Sequence, residues 1–223
     1  MLTSLSPSWF AGYDVLLEAG FAIAALIIAL VAFQIYRLTD QKQVRLFGIS
    51  FLLISISYVL QSILNLLVVT RADQVACGIV AQQSVNLFGA YGLYARMILM
   101  IAGLVLLAYM TLKIEKIRVF WLLFTLTTLG MIFSISPLHA FFATSTFLLA
   151  IVLWHFVNNY RHTKQAMTLL TAIAFAFLLF GNLHFLLSVN HELYYAIGHI
   201  LEFAAYLLIL INLHMVLRNG KKA

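Results

Sequence analysis

Residues 19–36 read AGFAIAALIIALVAFQIY and contain no charged side chain, whereas Glu18 and Arg37 stand directly at the two ends of this segment. In bilayer hydrocarbon every backbone N–H and C=O group needs an internal partner, so such a segment must be a helix or a strand of a closed barrel. Barrel strands alternate polar and apolar residues, and this segment does not. It is therefore predicted to be a helix that crosses a membrane.

The same rule applied along the chain predicts seven helices. The longest uncharged stretch, from Arg118 to Arg161, exceeds one span of about 20 residues. A turn-forming segment around Pro137 divides it into two helices. The predicted helices cover roughly residues 11–36, 46–70, 88–112, 119–135, 139–159, 166–188 and 193–217. The predicted fold is an all-α polytopic membrane bundle of seven transmembrane helices, forming a single domain over residues 1–223.

The composition agrees with this prediction and excludes several classes of protein. Hydrophobic residues make up 64% of the 223 residues and charged residues only 9%, against roughly 25% charged residues in a soluble domain. Seven spans leave no room for a soluble catalytic domain. The single cysteine, Cys77, has no intrachain partner, so a disulfide scaffold is excluded.

The positions of the basic residues predict the orientation of the bundle, because positively charged flanks are retained on the cytoplasmic side of a membrane. Eleven of the 13 lysines and arginines fall on one side: Arg37, Lys42, Arg45, Lys113, Lys116, Arg118, Arg161, Lys164, Arg218, Lys221 and Lys222. We therefore expect the N-terminus outside and the C-terminus in the cytoplasm, in a plasma or inner membrane. The net charge of +6 is then mainly a topology signal with some attraction to the lipid bilayer, and nucleic acid is not an expected partner.

Two similarities within the chain indicate an internal repeat. Helix 1 ends in residues 36–39 (YRLT) and helix 5 ends in residues 160–163 (YRHT). Residues 94–99 (YARMIL) of helix 3 also align with residues 197–202 (IGHILE) of helix 7. Helices 1–3 and 5–7 are thus candidates for parallel three-helix repeats joined by helix 4, a 3+1+3 arrangement. The alternative is a chance similarity between short apolar segments.

Two families share seven helices, an outside N-terminus and a 3+1+3 plan, and the chain resembles them in this topology alone. Microbial rhodopsins need a lysine in helix 7 for the retinal Schiff base, but no lysine lies between Tyr195 and Leu217. Covalent retinal is therefore not expected. Sugar transporters of the SWEET type carry a Pro-Gln signature, but the only prolines here are Pro7 and Pro137. Neither family is assigned.

Ionisable side chains at membrane depth are the main functional candidates. Each costs about 2.5 kcal/mol or more on insertion scales, so each needs a partner. In helix 7, His199, Glu202 and Tyr206 lie on one face, which we expect to point into the bundle. Arg96 is predicted to pair with Glu202 or Glu18, because a guanidinium group suits a carboxylate.

The first functional hypothesis is a polar pocket in the outer half of the bundle that binds a small polar solute or ion, for transport or for sensing. A transporter needs no soluble domain, whereas a sensor would need a cytoplasmic partner, and either could form a homo-oligomer. The predicted ligand-binding residues are Glu18, Gln61, Arg96, Asn182, His184, His199, Glu202 and Tyr206.

The second hypothesis is an intramembrane enzyme or electron-transfer protein that uses a metal or haem. His184, His199 and Glu202 could ligate zinc or iron, although the chain has no His-Glu-x-x-His motif. Histidines of helices 5 and 7 could ligate haem, although the spacing of His139 and His155 places these two on opposite faces. No cofactor is therefore assigned, and whether the chain is an enzyme stays open.

Overall fold

The computed structural model of the protein describes residue 10 and residues 12–72, 79–114, 116–188 and 192–220. Side chains are described for residue 10 and for residues 12–66, 90–114, 116–188 and 193–218. Cys77 lies outside the described residues. All predicted ligand-binding residues lie within them.

Seven α-helices account for nearly all described residues, and no strand occurs in these ranges, so the predicted all-α bundle is confirmed. Their bounds are α1 Tyr13–Thr39, α2 Lys42–Ala72, α3 Ile79–Thr111, α4 Ile117–Ile132, α5 Pro137–Thr163, α6 Ala166–Ser188 and α7 Glu192–Gly220. The prediction for α6 agrees at both ends. Several other helices continue past their apolar spans, because a helix does not end where the hydrocarbon ends.

Six of the seven helices are long and apolar enough to cross a membrane. The exception is α4, whose 16 residues extend over about 24 Å at 1.5 Å per residue. This is shorter than a hydrocarbon layer of about 30 Å, and a short helix of this kind can be accommodated by local thinning of the bilayer. Trp121, Leu122 and Leu126 on α4 are exposed, as expected for a lipid-facing surface.

The helices form a closed ring with α4 outside it. Helix α2 packs between α1 and α3, and α6 packs between α5 and α7. The ring closes where α3 meets α5 and where α1 meets α7, whereas α4 packs, within the described ranges, only on α3 and α5. Two runs of three neighbouring helices, α1–α3 and α5–α7, are therefore bridged by α4, and the internal repeat stays a prediction.

The C-terminal turns of α1 and α5 have the same structure. Each helix is followed by a residue in the left-handed region, Asp40 with φ 50° and Lys164 with φ 54°. The N–H group of each donates a 2.8 Å hydrogen bond to the carbonyl oxygen of Tyr36 or Tyr160, respectively. These two tyrosines begin the YRLT and YRHT segments, so the sequence similarity corresponds to a shared local structure.

Small side chains let the first three helices approach one another closely. Helix α1 directs Ala25, Ala29 and Ala32 into the interior, and all three are fully buried. On α3, Gly103 lies so close to α2 that an added Cβ would be 2.9 Å from the carbonyl oxygen of Ser50. Real Cβ atoms essentially never come this close to another heavy atom, so glycine is required where these two helices meet.

We predict that Gly103→Ala lowers the free energy of unfolding by about 1–3 kcal/mol, the usual cost of overpacking. The backbone of α2 would have to move away from the new methyl group. Thermal unfolding in detergent micelles measures the loss. The matched control is Gly20→Ala, because a Cβ at Gly20 would meet nothing within 4 Å. Equal unfolding temperatures for the two variants would contradict the close α2–α3 contact.

Candidate functional site

Polar side chains from five helices come together inside the ring. Glu18 comes from α1, Arg96 from α3 and Asn182 from α6, while α2 and α7 contribute several residues each. We call this cluster the polar core. Its members are Glu18, Tyr58, Gln61, Asn65, Arg96, Asn182, His199, Glu202 and Tyr206. They include seven of the eight residues predicted to bind a ligand, and the exception is His184.

Glu18 is held by two amide side chains of α2. The Glu18 side chain is only 1% exposed, and its Oε2 accepts a 2.8 Å hydrogen bond from Nδ2 of Asn65. The Oδ1 of Asn65 accepts a 3.1 Å bond from Nε2 of Gln61. The Oε1 of Gln61 is buried and has no hydrogen-bond partner among the described residues. A chain of hydrogen bonds therefore runs from Glu18 along one turn of α2 and ends on a free acceptor.

Glu202 of α7 accepts a hydrogen bond from a tyrosine of α2. Its side chain is 5% exposed, and its Oε1 accepts a 3.0 Å hydrogen bond from the hydroxyl of Tyr58. Hydrogen bonds to charged groups contribute about 1.5–3 kcal/mol each. This bond joins α2 to α7 across the interior of the ring, where the rings of Tyr58 and Tyr206 also meet edge-on at 5.9 Å.

The predicted ion pair of Arg96 is not formed in the described part of the chain. Glu18 and Glu202 each accept from a neutral donor instead. The guanidinium group of Arg96 lies 5.7 Å from the centroid of the Phe141 ring, within the range of a cation–π interaction. Its charge acts on both carboxylates from a longer distance. The prediction was wrong because it considered only charged partners and not the amide and hydroxyl donors of α2.

The imidazole ring of His199 is enclosed by four aromatic rings. Phe10 and Phe21 lie on it at 5.8 and 5.7 Å between centroids, with interplanar angles of 24° and 25°. Phe185 and Tyr195 approach edge-on at 5.0 and 4.6 Å. Within the described ranges neither ring nitrogen of His199 has a hydrogen-bond partner. His199 is thus a buried polar group whose hydrogen-bonding capacity is unused in this conformation.

A small cavity lies where Glu202, Asn182 and Tyr206 meet. Its volume is about 10 Å³, which is close to the minimum for one water molecule. Asn182 is 3% exposed, and its Oδ1 is buried without a hydrogen-bond partner in the part of the chain that the structure describes. The remaining wall is apolar, with residues such as Leu104 and Leu178. The cavity therefore offers oxygen atoms in otherwise apolar surroundings.

His184 lies apart from the polar core. Its Nδ1 is 2.7 Å from the carbonyl oxygen of Phe180 on its own helix, and its ring contacts Tyr194 edge-on. Two residues along a helix correspond to a rotation of about 200°, so His184 points away from the face that carries Asn182. Within the described residues no three histidine, cysteine, aspartate or glutamate side chains come together as a metal site, so His184, His199 and Glu202 are not brought together.

Asp14 caps the beginning of α1. Its Oδ1 accepts hydrogen bonds from the backbone N–H groups of Gly12 at 2.9 Å and Val15 at 2.8 Å. Acids in the first turn are stabilised by the helix dipole. Asp14 therefore has its own local compensation, and its charge need not be balanced by Arg96.

The predicted ligand-binding set leaves out two members of the polar core, Asn65 and Tyr58. The sequence does place Asn65 on the same helix face as Gln61, because it lies four residues later. Tyr58 gave no comparable signal, since tyrosines in membrane helices commonly occupy the interface with water. The hydroxyl of a deeply buried tyrosine becomes recognisable as a donor only when its acceptor on another helix is known.

Comparison with known proteins provides no family for this chain. No family model, curated protein or solved structure matches it. Its function is therefore argued below from the geometry and charge of the polar core.

We predict that Asn65→Leu lowers the free energy of unfolding by about 1–3 kcal/mol, because the Glu18 carboxylate loses its donor. The double variant Asn65→Leu with Glu18→Leu should lose less than the sum of the single variants, since no carboxylate is then left unpaired. Chemical unfolding of all four chains in micelles measures this coupling. As a control, Asn212→Leu on α7 should be additive with Glu18→Leu to within about 0.5 kcal/mol. Equal coupling in both cycles would show that Asn65 does not stabilise Glu18.

Proposed function

We propose that the protein is a multi-pass membrane protein whose polar core binds a small polar solute or ion carrying one positive charge, for transport or for sensing. The observation that carries the proposal is the unequal number of buried charges. Glu18 and Glu202 are both buried, whereas Arg96 is the one cationic side chain among the described members of the core. Asp14 is compensated at the start of α1. When Glu18 and Glu202 are both ionised, the core therefore lacks one positive charge.

A surplus negative charge inside an apolar bundle is energetically expensive. An uncompensated buried charge costs about 3–5 kcal/mol when one partner of a pair is missing. Intramembrane ionisable groups accordingly pair with each other or mark the pathway of a substrate or ion. A ligand with one positive charge would restore neutrality without moving either carboxylate from its donor.

Free hydrogen-bonding atoms next to the carboxylates support a binding role. The Oε1 of Gln61 and the two ring nitrogens of His199 have no partners within the described residues. Binding sites typically combine apolar walls with a few convergent polar groups that orient the ligand. The aromatic rings around His199 supply such walls, and Phe21 and Tyr195 also provide faces that attract a cation.

The arrangement of the helices favours transport over sensing. Transporters with repeated units bind substrate between the units and expose it by moving one unit against the other. Here the polar core lies between α1–α3 and α5–α7, whose backbones come close, within the described ranges, where α3 meets α5 and where α1 meets α7. Since the cavity beside Glu202 admits about one water molecule, a larger solute would require one of these junctions to open.

We expect small monovalent cations to stabilise the wild-type protein against heat. The probes are the chlorides of ammonium and methylammonium, with choline chloride at the same ionic strength as the control with a cation too large for the core. A ligand at a hundredfold excess over its Kd stabilises the folded state by about 2.7 kcal/mol. Thermal unfolding in micelles measures the effect as a rise in Tm.

Two carboxylate-to-amide variants make this test specific. Glu18→Gln removes the surplus charge of the core while keeping the shape of the side chain, so it should abolish the cation-dependent rise in Tm. Asp40→Asn makes the same chemical change in the exposed turn after α1 and should preserve the rise. Equal stabilisation by choline chloride and ammonium chloride, or an unchanged response of Glu18→Gln to ammonium and methylammonium, would contradict the proposal.

The proposed orientation places the polar core in the outer half of the membrane and the turns that follow α1 and α5 in the cytoplasm. In a Cys77→Ser background, Ile135→Cys in the turn between α4 and α5 should react with a membrane-impermeant maleimide on intact cells. Asp40→Cys should react only after permeabilisation. Both positions are exposed. The reverse pattern would contradict the orientation, and labelling of both positions only after permeabilisation would show that α4 does not cross the membrane.

A further inference from the structure

The cavity beside Glu202 lies at the centre of the bundle. Its wall contains residues of α2, α3, α5, α6 and α7, represented by Tyr58, Met100, Leu149, Asn182 and Glu202. Two polar atoms in this wall have capacity to bind a ligand. The carboxylate of Glu202 has one described donor, the hydroxyl of Tyr58, and the Oδ1 of Asn182 is a buried acceptor without a described donor.

The chemistry of this wall suits a small metal cation. The polar side chains in its lining carry a carboxylate on Glu202, an amide on Asn182 and hydroxyls on Tyr58 and Tyr206. Hard cations prefer such oxygen ligands, and the described lining offers no histidine or cysteine that would favour a softer metal. A cavity of about 10 Å³ admits one particle the size of a water molecule, so the ion must shed its hydration shell.

We propose that this cavity binds one small monovalent metal cation, such as sodium, through the carboxylate of Glu202, the Oδ1 of Asn182 and the hydroxyl of Tyr206. One carboxylate balances one positive charge, whereas a divalent ion would leave an uncompensated charge among apolar side chains. Arg96 then remains to compensate Glu18, and the whole polar core is neutral. This site rests on the proposed function, in which the core requires one positive charge. The bound metal ion supplies that charge.

Gly181 allows the two main ligands to face the same space. An added Cβ at Gly181 would lie 3.1 Å from the carbonyl oxygen of Gly198 and 3.4 Å from Cγ of Glu202. Helix α6 therefore approaches α7 closely just beside Glu202. Asn182 follows Gly181 directly, so its amide is brought into the wall that Glu202 also lines.

The test measures ion binding by protein purified in choline chloride. Lithium and sodium chloride should raise the Tm, potassium should do so less because the ion is larger, and choline should have no effect through this site. Binding of ²²Na⁺ to the same protein should saturate at one ion per chain. Asn182→Leu and Tyr206→Phe should each weaken sodium binding by about tenfold or more, which corresponds to the loss of about 1.4 kcal/mol of binding free energy.

Asn212→Leu is the matched control. Asn212 is also an intramembrane asparagine with a buried Oδ1 that lacks a described partner, but its Nδ2 donates to Thr171 at 2.8 Å and it does not line the cavity. This variant should bind sodium as the wild type does. Glu202→Gln keeps the shape of the side chain and should abolish sodium binding. If the Glu202→Gln variant does not fold, the sodium binding of Tyr206→Phe tests the proposal instead.

Two results would overturn the proposal. The first is identical Tm values in sodium, lithium, potassium and choline chloride with no saturable ²²Na⁺ binding. The second is sodium binding that is lost equally in Asn182→Leu and Asn212→Leu. Either could occur while ammonium or methylammonium still stabilises the protein in a manner that depends on Glu18. That combination would retain the proposed function and reject only the metal site.

Discussion

A carboxylate buried among apolar side chains must receive hydrogen bonds, and in this bundle α2 supplies them on both sides. Asn65 donates to Glu18 on α1, and Tyr58 donates to Glu202 on α7. The two acids belong to the helices whose contact closes the ring. Without these donors, each acid would carry the full free-energy cost of leaving water. The α1–α7 junction would then be the first part of the ring to lose stability.

The number and position of the helices were predictable because charge is excluded from hydrocarbon. Arg118 and Arg161 bounded a stretch too long for one span, and the structure indeed has a turn there, with α5 beginning at Pro137. Proline suits the first turn of a helix because its missing N–H group would have no partner there in any case. Helix ends such as Lys42 were less predictable, since polar residues at the interface with water neither require nor prevent further helical turns.

The membership of the polar core was partly predictable, but its pairing was not. Helical spacing placed His199, Glu202 and Tyr206 on one face, and all three are buried. His184 lies two residues after Asn182, so by the same spacing rule the two side chains are on different helix faces. The prediction overlooked this. The partner of Arg96 depends on how α3 is rotated against α5, and no pattern within α3 records that rotation. The structure brings Arg96 to Phe141 instead of to an acid.

The location of the cavity follows from the two three-helix units. In the register that aligns Tyr36 with Tyr160, Tyr58 of α2 corresponds to Asn182 of α6, and both line the cavity. The cavity wall thus takes residues from α2 and α3 on one side and from α5, α6 and α7 on the other. A ligand bound in this cavity, as proposed, would touch both units at once, so it could hold them together when bound and release them when it leaves. In the separate register that aligns residues 94–99 with residues 197–202, Glu202 corresponds to the apolar Leu99, so the acidic side chain of the cavity wall comes from α5–α7 alone.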